Sequence, residues 1–283
     1  FGSCRWLVDE LLPRFGIETT VIDSADNAAW EAAIQPNTKV FFFETPANPT
    51  LDIVDLDHVC ALAKAHGITT VVDNAFCTPV MQRPMEFGAD VIAYSATKLM
   101  DGQGRVLAGA VCGSEEFIND KLLPFQRNTG PNLSPFNAWV VLKGLETLEL
   151  RARRQCDNAL KIGRFMEGRV PKILHPGLAS HPRHDMAMRQ MDMPGCIFSF
   201  VLDGGRAQAH ALLDNLQLID ISNNIGDARS LMCHPASTTH HSVGPEKRAE
   251  MGVDEGMLRF NVGLEDADDL LEDIDRALRA IGL

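Results

Sequence analysis

The chain has 283 residues, 45% hydrophobic and 23% charged, with a formal net charge of −12. A chain of this length can bury about three quarters of its unfolded surface in one large or two medium domains, and its acidity excludes the clustered Lys/Arg footprint of a nucleic-acid binder. No apolar run reaches the ~18 residues of a spanning helix and no signal-like segment opens the chain, which points to a cytoplasmic protein acting on small molecules, with no membrane partner.

The opening stretch FGSCRWLVDELLPRFG lacks an initiator Met and reads as an amphipathic helix with Trp6, Leu7, Leu11 and Leu12 on one buried face. A strand TTVID, a helix after Asp26, the strand KVFFFE, the helix DLDHVCALAKAHG and the strands ITTVVD, DVIAYS and LAGAVCG follow. Short strands alternating with helices predict β-α-β units and a mostly parallel sheet with helices on both faces. Ligands in such sheets collect at the carboxyl ends of the strands. Asp73 ends one strand and Ser95 to Lys98 follow the next, so these two loops are expected to be neighbours.

Near LSPFNAWVVLKGLETLELRARRQCDNALKIGRFMEG the pattern becomes a long helical stretch. After it come the strand GCIFSFVLDG, a helix near Gln208 to Asn215, the strand MLRFNVG and a final acidic helix expected to present a solvated face. We therefore expect an α/β large domain over 1–148 and a smaller C-terminal α+β domain over 149–283. The seven cysteines include no C-x-x-C pair, and five lie in or beside apolar segments, so they read as reduced core thiols.

One lysine stands out, in YSATKLMDGQGR. A lysine that acts as nucleophile or base near neutral pH needs its ammonium disfavoured by desolvation or by a neighbouring cation. Lys98, at the end of a buried-looking strand, has that setting, although taken alone it better describes a lysine snorkelling to the surface. Ser95 and Thr97 add hydroxyls in the same turn, suited to a phosphate monoester. Asp73 adds a carboxylate that could hold a pyridine nitrogen protonated, though alone it also reads as a helix cap. Together the four describe a pyridoxal phosphate site.

The segments ETPANPTLDIVDL, VVDNAFCTP, RPMEFGADVIAYSATK, CHPASTTHHSVGPEKRAEMGV and LRFNVGLEDADDL resemble the Cys/Met metabolism PLP-dependent enzymes over the whole chain. A narrower likeness, in DGQGR after the lysine and in ISNNIGDARSL, is to the O-succinylhomoserine sulfhydrylases of that family. The resemblance implies fold type I, the aspartate aminotransferase-like PLP-dependent transferase architecture. It also implies pyridoxal 5'-phosphate as cofactor, an O-acylhomoserine and sulfide as substrates in methionine biosynthesis, and a homotetramer.

Carried over by position, the resemblance makes Lys98 the cofactor-bound lysine and proton shuttle, Asp73 the pyridinium partner, and Ser95 and Thr97 the phosphate ligands. Arg259 would bind the substrate α-carboxylate, for which a planar guanidinium is suited; a surface ion pair with Glu265 is its alternative. Asn48 would lie beside cofactor and substrate. Asn224 stands where many relatives have serine, and its amide can still hydrogen-bond a carboxylate. Arg105 is a candidate for a succinyl carboxylate, against the alternative of a solvent-facing side chain. Family members begin upstream of Phe1, with a region carrying a ring-stacking tyrosine, a phosphate loop and residues that reach a neighbouring subunit; Tyr94 matches none of these roles. Neither CHPASTTHH nor G-x-G at Gly102 and Gly104 has the spacing of a metal or dinucleotide motif.

Overall fold

The computed structural model describes residues 2–283. Its first sheet holds β1 (Val40–Glu44), β2 (Thr69–Asp73), β3 (Val91–Ser95) and β4 (Gly109–Cys112), in that spatial order. β1–β2 and β2–β3 pair in parallel, and β4 returns antiparallel to β3. Parallel neighbours need crossovers. The first is the helix Leu56–Ala65, whose N-terminus is capped by Asp55 accepting from the His58 N–H at 3.1 Å. Leu56, Val59, Cys60 and Ala63 form its buried stripe at helical spacing. Phe41 and Phe43, alternate residues of β1, pack on Trp30 with ring centroids at 4.9 and 5.3 Å. Trp30 is carried by the helix Asn27–Ala33 that starts at the Asp26 cap.

The second sheet contains β5 (Lys172–Leu174), β6 (Ile197–Val201), β7 (Asp220–Ile221), β8 (Leu231–Cys233) and β9 (Met257–Asn261), ordered β5-β6-β9-β8-β7. Only β7–β8 is parallel. Phe198, Phe200 and Phe260 of its central strands pack with Ile162 and Met166 of the helix Leu148–Met166 and with Ile274 and Ala277 of the helix Ala267–Ala280. The earlier turns of the helix Leu148–Met166 face the first core instead, through Leu148, Ala152 and Cys156. One long helix thus joins the two cores.

Several expectations are corrected here. TTVID forms no strand; Val21 is exposed, and β1 is a sheet edge with Val40 and Phe42 outward, so nothing pairs with residues 19–23. The opening helical segment exists, but Trp6 and Leu7 are exposed because nothing among the described residues packs over that face. The long helical stretch is two helices, Pro135–Leu145 and Leu148–Met166. The final helix is not solvated throughout its acid run: buried Asp273 accepts from the backbone N–H groups of Gln217, Leu218 and Ile219 at 2.9, 2.9 and 3.0 Å. Five of the seven free cysteines (Cys60, Cys77, Cys156, Cys196 and Cys233) are buried. No helix among the described residues is long and apolar enough to cross a membrane.

Candidate active site

Parallel pairing puts the carboxyl ends of β1, β2 and β3 side by side, with Glu44 opposite Asp73 in register and the Asn74 N–H donating to Ala93 O at 2.9 Å. Both acids are half-buried. Burial raises the Asp73 pKa, although the Ala75 N–H at 3.0 Å favours its charged form. Burial also raises Glu44, and the neighbouring Asp73 charge adds to that effect. Glu44 was missed by the sequence reasoning, yet the signal was present: it ends the apolar run VFFFE as Asp73 ends TTVVD.

Beneath this edge lies a buried polar network. Gln82 Nε2 donates to Thr45 O at 2.8 Å and to Asn74 Oδ1 at 3.0 Å, and Asn74 Nδ2 returns a bond to Gln82 O at 2.9 Å. Asn74 Nδ2 also reaches the Tyr94 hydroxyl at 3.4 Å. The network ties the β1, β2 and β3 ends together immediately below Asp73.

Lys98 follows β3 in a single helical turn, Ala96–Met100, whose backbone leaves helical geometry at the lysine itself (φ −92, ψ −127). Its half-buried amine donates to Asn224 Oδ1 at 2.6 Å. Burial lowers its pKa, and the positive charge of Arg259 lowers it further. These are the two causes a nucleophilic lysine requires. Arg259 comes from β9 and is only 3% exposed. Its guanidinium donates to Asn48 Oδ1 and to Asn223 O, both at 2.8 Å. The ion pair with Glu265 is therefore not made; Glu265 instead accepts from Ser230 N–H and Oγ–H. Asn48, buried in the ETPANP turn with its cis Thr45–Pro46 and Asn48–Pro49 peptides, acts here as an acceptor toward Arg259.

The two turn hydroxyls differ. Ser95 Oγ makes no hydrogen bond among the described residues. Thr97 Oγ1 accepts from Ala108 N–H at 2.9 Å and donates to Ala108 O at 3.2 Å, so a phosphate would compete with β4's approach for its single proton. Arg105 is partly engaged by Asp101. Its Nε donates to the buried Asp101 carboxylate at 2.9 Å and its second terminal nitrogen donates to Asp101 O at 3.0 Å, closing the loop after the lysine. From below, buried Arg151 donates to Leu99 O and Gly144 O, both at 2.8 Å, bracing the lysine turn against the helix Pro135–Leu145.

Residues 1–279 match the Cys/Met metabolism PLP-dependent enzyme family. The chain belongs to that family. Among Cys/Met metabolism enzymes it is 48% identical to O-succinylhomoserine sulfhydrylase of Mycobacterium tuberculosis, over 98% of this chain and 70% of that protein. It is 44% identical to L-methionine gamma-lyase of Pseudomonas putida, over 94% of this chain and 68% of that protein. The crystal structure of metB from Corynebacterium glutamicum superposes with a TM-score of 0.95 at 36% identity, covering 99% of this chain and 72% of that one. The architecture is accordingly that of fold type I PLP-dependent enzymes, and the cofactor of this Cys/Met metabolism enzyme is pyridoxal phosphate. The residues present fit that group: an amine whose pKa is lowered, a half-buried carboxylate with an oxygen that accepts no hydrogen bond among the described residues, and an uncommitted hydroxyl stand along one sheet edge.

Proposed function

We propose that this chain replaces the succinyl group of O-succinyl-L-homoserine with sulfide, yielding homocysteine and succinate. The observation that carries this reading is the 48% identity over 98% of the chain to an O-succinylhomoserine sulfhydrylase. The arrangement of Lys98, Asp73 and Arg259 supports a PLP-dependent reaction of this general class.

In this reading Lys98 would hold the cofactor, Asp73 would pair with its pyridine nitrogen, and Ser95, with Thr97 once released from Ala108, would bind its phosphate. Bound there, pyridoxal phosphate supplies an electron sink conjugated to the substrate amino group. A protonated pyridine would give half-buried Asp73 a cationic partner, so each group would favour the other's charged form.

Arg259 binds the substrate α-carboxylate, oriented from one side by Asn48. That clamp fixes the Cα–H bond relative to Lys98 Nζ, which removes the α proton. Its lowered pKa makes the neutral amine available for this step. Loss of a Cβ proton then accompanies cleavage of the Cγ–O bond and succinate leaves with the bonding pair; hydrosulfide forms the Cγ–S bond, and protons are returned to Cβ and Cα to give homocysteine. Asn224, released from the lysine amine, is placed to contact the substrate carboxylate. Two of the three guanidinium nitrogens of Arg105 are held by Asp101, so only Nη1 is uncommitted toward the acyl end.

A lyase reading is favoured by the 44% identity to L-methionine gamma-lyase and a γ-synthase reading by the likeness to metB; both would share the catalytic residues named above. A catalytically silent role as an oligomer partner is the reading from outside enzymology. The deciding experiment incubates the protein and pyridoxal phosphate with O-succinyl- or O-acetyl-homoserine, each with sulfide or cysteine, and with methionine alone. Homocysteine from the succinyl ester and sulfide is the expected product. Cystathionine, or α-ketobutyrate from methionine, would replace this reading with the synthase or lyase one, and no product under any condition would favour the silent role.

We further propose 1–148 and 149–283 as the two domains and a homotetramer as the working assembly. The two separate sheets support the first. Exposed Phe136, Trp139 and Leu142 on one helix support association through that surface.

A further inference from the structure

The reactive-lysine turn is gripped by a loop from the other sheet. Residues 223–229, NNIGDAR, run from the amine of Lys98 to the backbone of the same turn. At the amine end, Asn224 Oδ1 accepts from Nζ at 2.6 Å. At the backbone end, Gly226, with φ +71, lies directly on the Lys98–Leu99 peptide: a Cβ there would stand 2.3 Å from Leu99 N and 2.8 Å from the Lys98 carbonyl carbon. This is the peptide whose rotation takes Lys98 out of helical geometry. No L side chain fits between the loop and that peptide unless one of them moves.

The loop is in turn held by β9. Asn261 Oδ1 accepts from the Gly226 N–H at 2.6 Å, and Asn261 Nδ2 donates to Arg229 O at 3.1 Å and Asp227 O at 3.3 Å. An amide is suited to this position because it accepts from one peptide while donating to two others; a carboxylate lacks the donors. Two residues earlier on β9, Arg259 donates to Asn223 O at 2.8 Å. The loop is closed onto the lysine turn by Ala228 N–H, which donates to Gly102 O at 2.7 Å.

We propose that Gly226, seated by Asn261, is the wedge that fixes the Lys98 backbone and so places its amine, making Asn261 a positioning residue for the reactive lysine. The inference rests on Lys98 being the cofactor-bound lysine. It also ties the strand that carries the carboxylate-binding arginine to the lysine through one loop, so that Arg259 and Lys98 keep a constant relation.

The test measures how fast apo protein attaches pyridoxal phosphate covalently, by borohydride quenching at timed intervals and mass analysis of the Lys98 peptide. Cofactor bound before quenching is measured separately by equilibrium dialysis, and folding by thermal melt. Gly226→Ala and Asn261→Ala are expected to slow attachment about tenfold or more, since a misplacement of roughly 1 Å between reacting groups costs on the order of a hundredfold. Gly252→Ala is the control. It suffers the same backbone penalty at φ +71, but its Cβ would meet only Thr50 Cγ2, at 3.5 Å, away from the lysine. It should attach cofactor at the parent rate.

Attachment at the parent rate in a folded Gly226→Ala or Asn261→Ala protein would overturn the wedge, as would equal slowing in Gly252→Ala. Should the alanine variants fail to fold, Asn261→Asp, which keeps the acceptor for Gly226 and loses both donors, decides by the same rate. An adduct on a lysine other than Lys98 in the parent protein would instead overturn the underlying lysine assignment, and so is distinguishable from failure of the wedge.

Discussion

Lys98 Nζ and Asn224 Oδ1 meet at 2.6 Å although 126 residues separate them in the chain. The bond joins the turn after a strand of the first sheet to a loop of the second, and it places the amine where burial and Arg259 both oppose protonation. An acceptor on one side and a cation on the other act in opposite directions: Asn224 orients the amine, and Arg259 adds to the effect of burial in lowering its pKa.

Covalent attachment is expected at this amine. Borohydride reduction of the holoprotein should leave a pyridoxyl adduct on the peptide containing Lys98, and Lys98→Ala should retain cofactor only non-covalently while losing turnover by at least about a thousandfold, the scale of losing a catalytic nucleophile and base. An adduct on Lys64, Lys121 or Lys143 would contradict the assignment.

Asp73 is expected to cost the cofactor-free fold stability at neutral pH while being essential to chemistry. Its folded pKa is raised by burial above the unfolded value, so its contribution is most favourable below the unfolded pKa and is lost as pH rises through the folded pKa. Asp73→Asn should therefore raise the melting temperature of the apo protein at pH 7. The same variant should slow exchange of the substrate α proton by about a hundredfold or more, the range of a lost electrostatic contact to developing charge. Unchanged exchange, read by NMR in deuterium oxide, would rule out Asp73 as the pyridine partner.

Arg259→Lys tests carboxylate binding. The buried guanidinium contacts Asn48, Asn223 and, in the proposed reading, a planar carboxylate, which a lysine ammonium cannot match with paired donors. Losing one charge-assisted bond worth about 1.5–3 kcal/mol should raise KM by roughly ten- to a hundredfold. Asn48→Ala should raise it less, because it removes the orienting contact and leaves the charge. Steady-state kinetics on both variants would check the order, and an unaltered KM in Arg259→Lys would exclude direct carboxylate contact.

A different buried group governs acid stability. His175 is held neutral, its pKa driven from 6.5 down to about 3 by burial and then by His181, with Nδ1 accepting from the Gly177 N–H and Nε2 without a partner among the described residues. The folded pKa is depressed, so the unfolded chain binds the extra proton first; stability is complete above pH 6.5 and falls progressively toward about 3. By pH 4 the loss attributable to this histidine is on the order of 3 kcal/mol. His175→Asn, which keeps an acceptor near Gly177, should flatten the dependence of melting temperature on pH between 6.5 and 4. An unchanged slope would assign the acid sensitivity to other groups, beginning with His240, whose pKa is lowered to about 4.

The sequence by itself determined the alternation of elements and the identity of the residues at strand ends, because both depend on local patterns. Apolar runs ending in Asp73 and Ser95 state where a parallel sheet opens its carboxyl edge, and ETPANP, SATK and LRFNVG carry motifs read without any knowledge of contacts. What the tertiary structure decided were relations across long separations and the occupancy of each hydrogen-bonding group. Only the fold shows that Thr97 is engaged by Ala108, that Arg105 is partly engaged by Asp101, and that Arg259 turns to Asn48 and Asn223 and leaves Glu265 to Ser230. TTVID had the composition of a strand and lacked a neighbour to pair with. The acid run of the last helix resembled a solvated face, but Asp273 found three backbone donors to satisfy it in the interior. Propensity and motif act within a few residues, whereas pairing and hydrogen-bond satisfaction are settled by what packs alongside. The Gly226 wedge belongs to the second kind: a glycine in NNIG says nothing of the peptide, 127 residues earlier at Leu99, that its missing side chain makes room for.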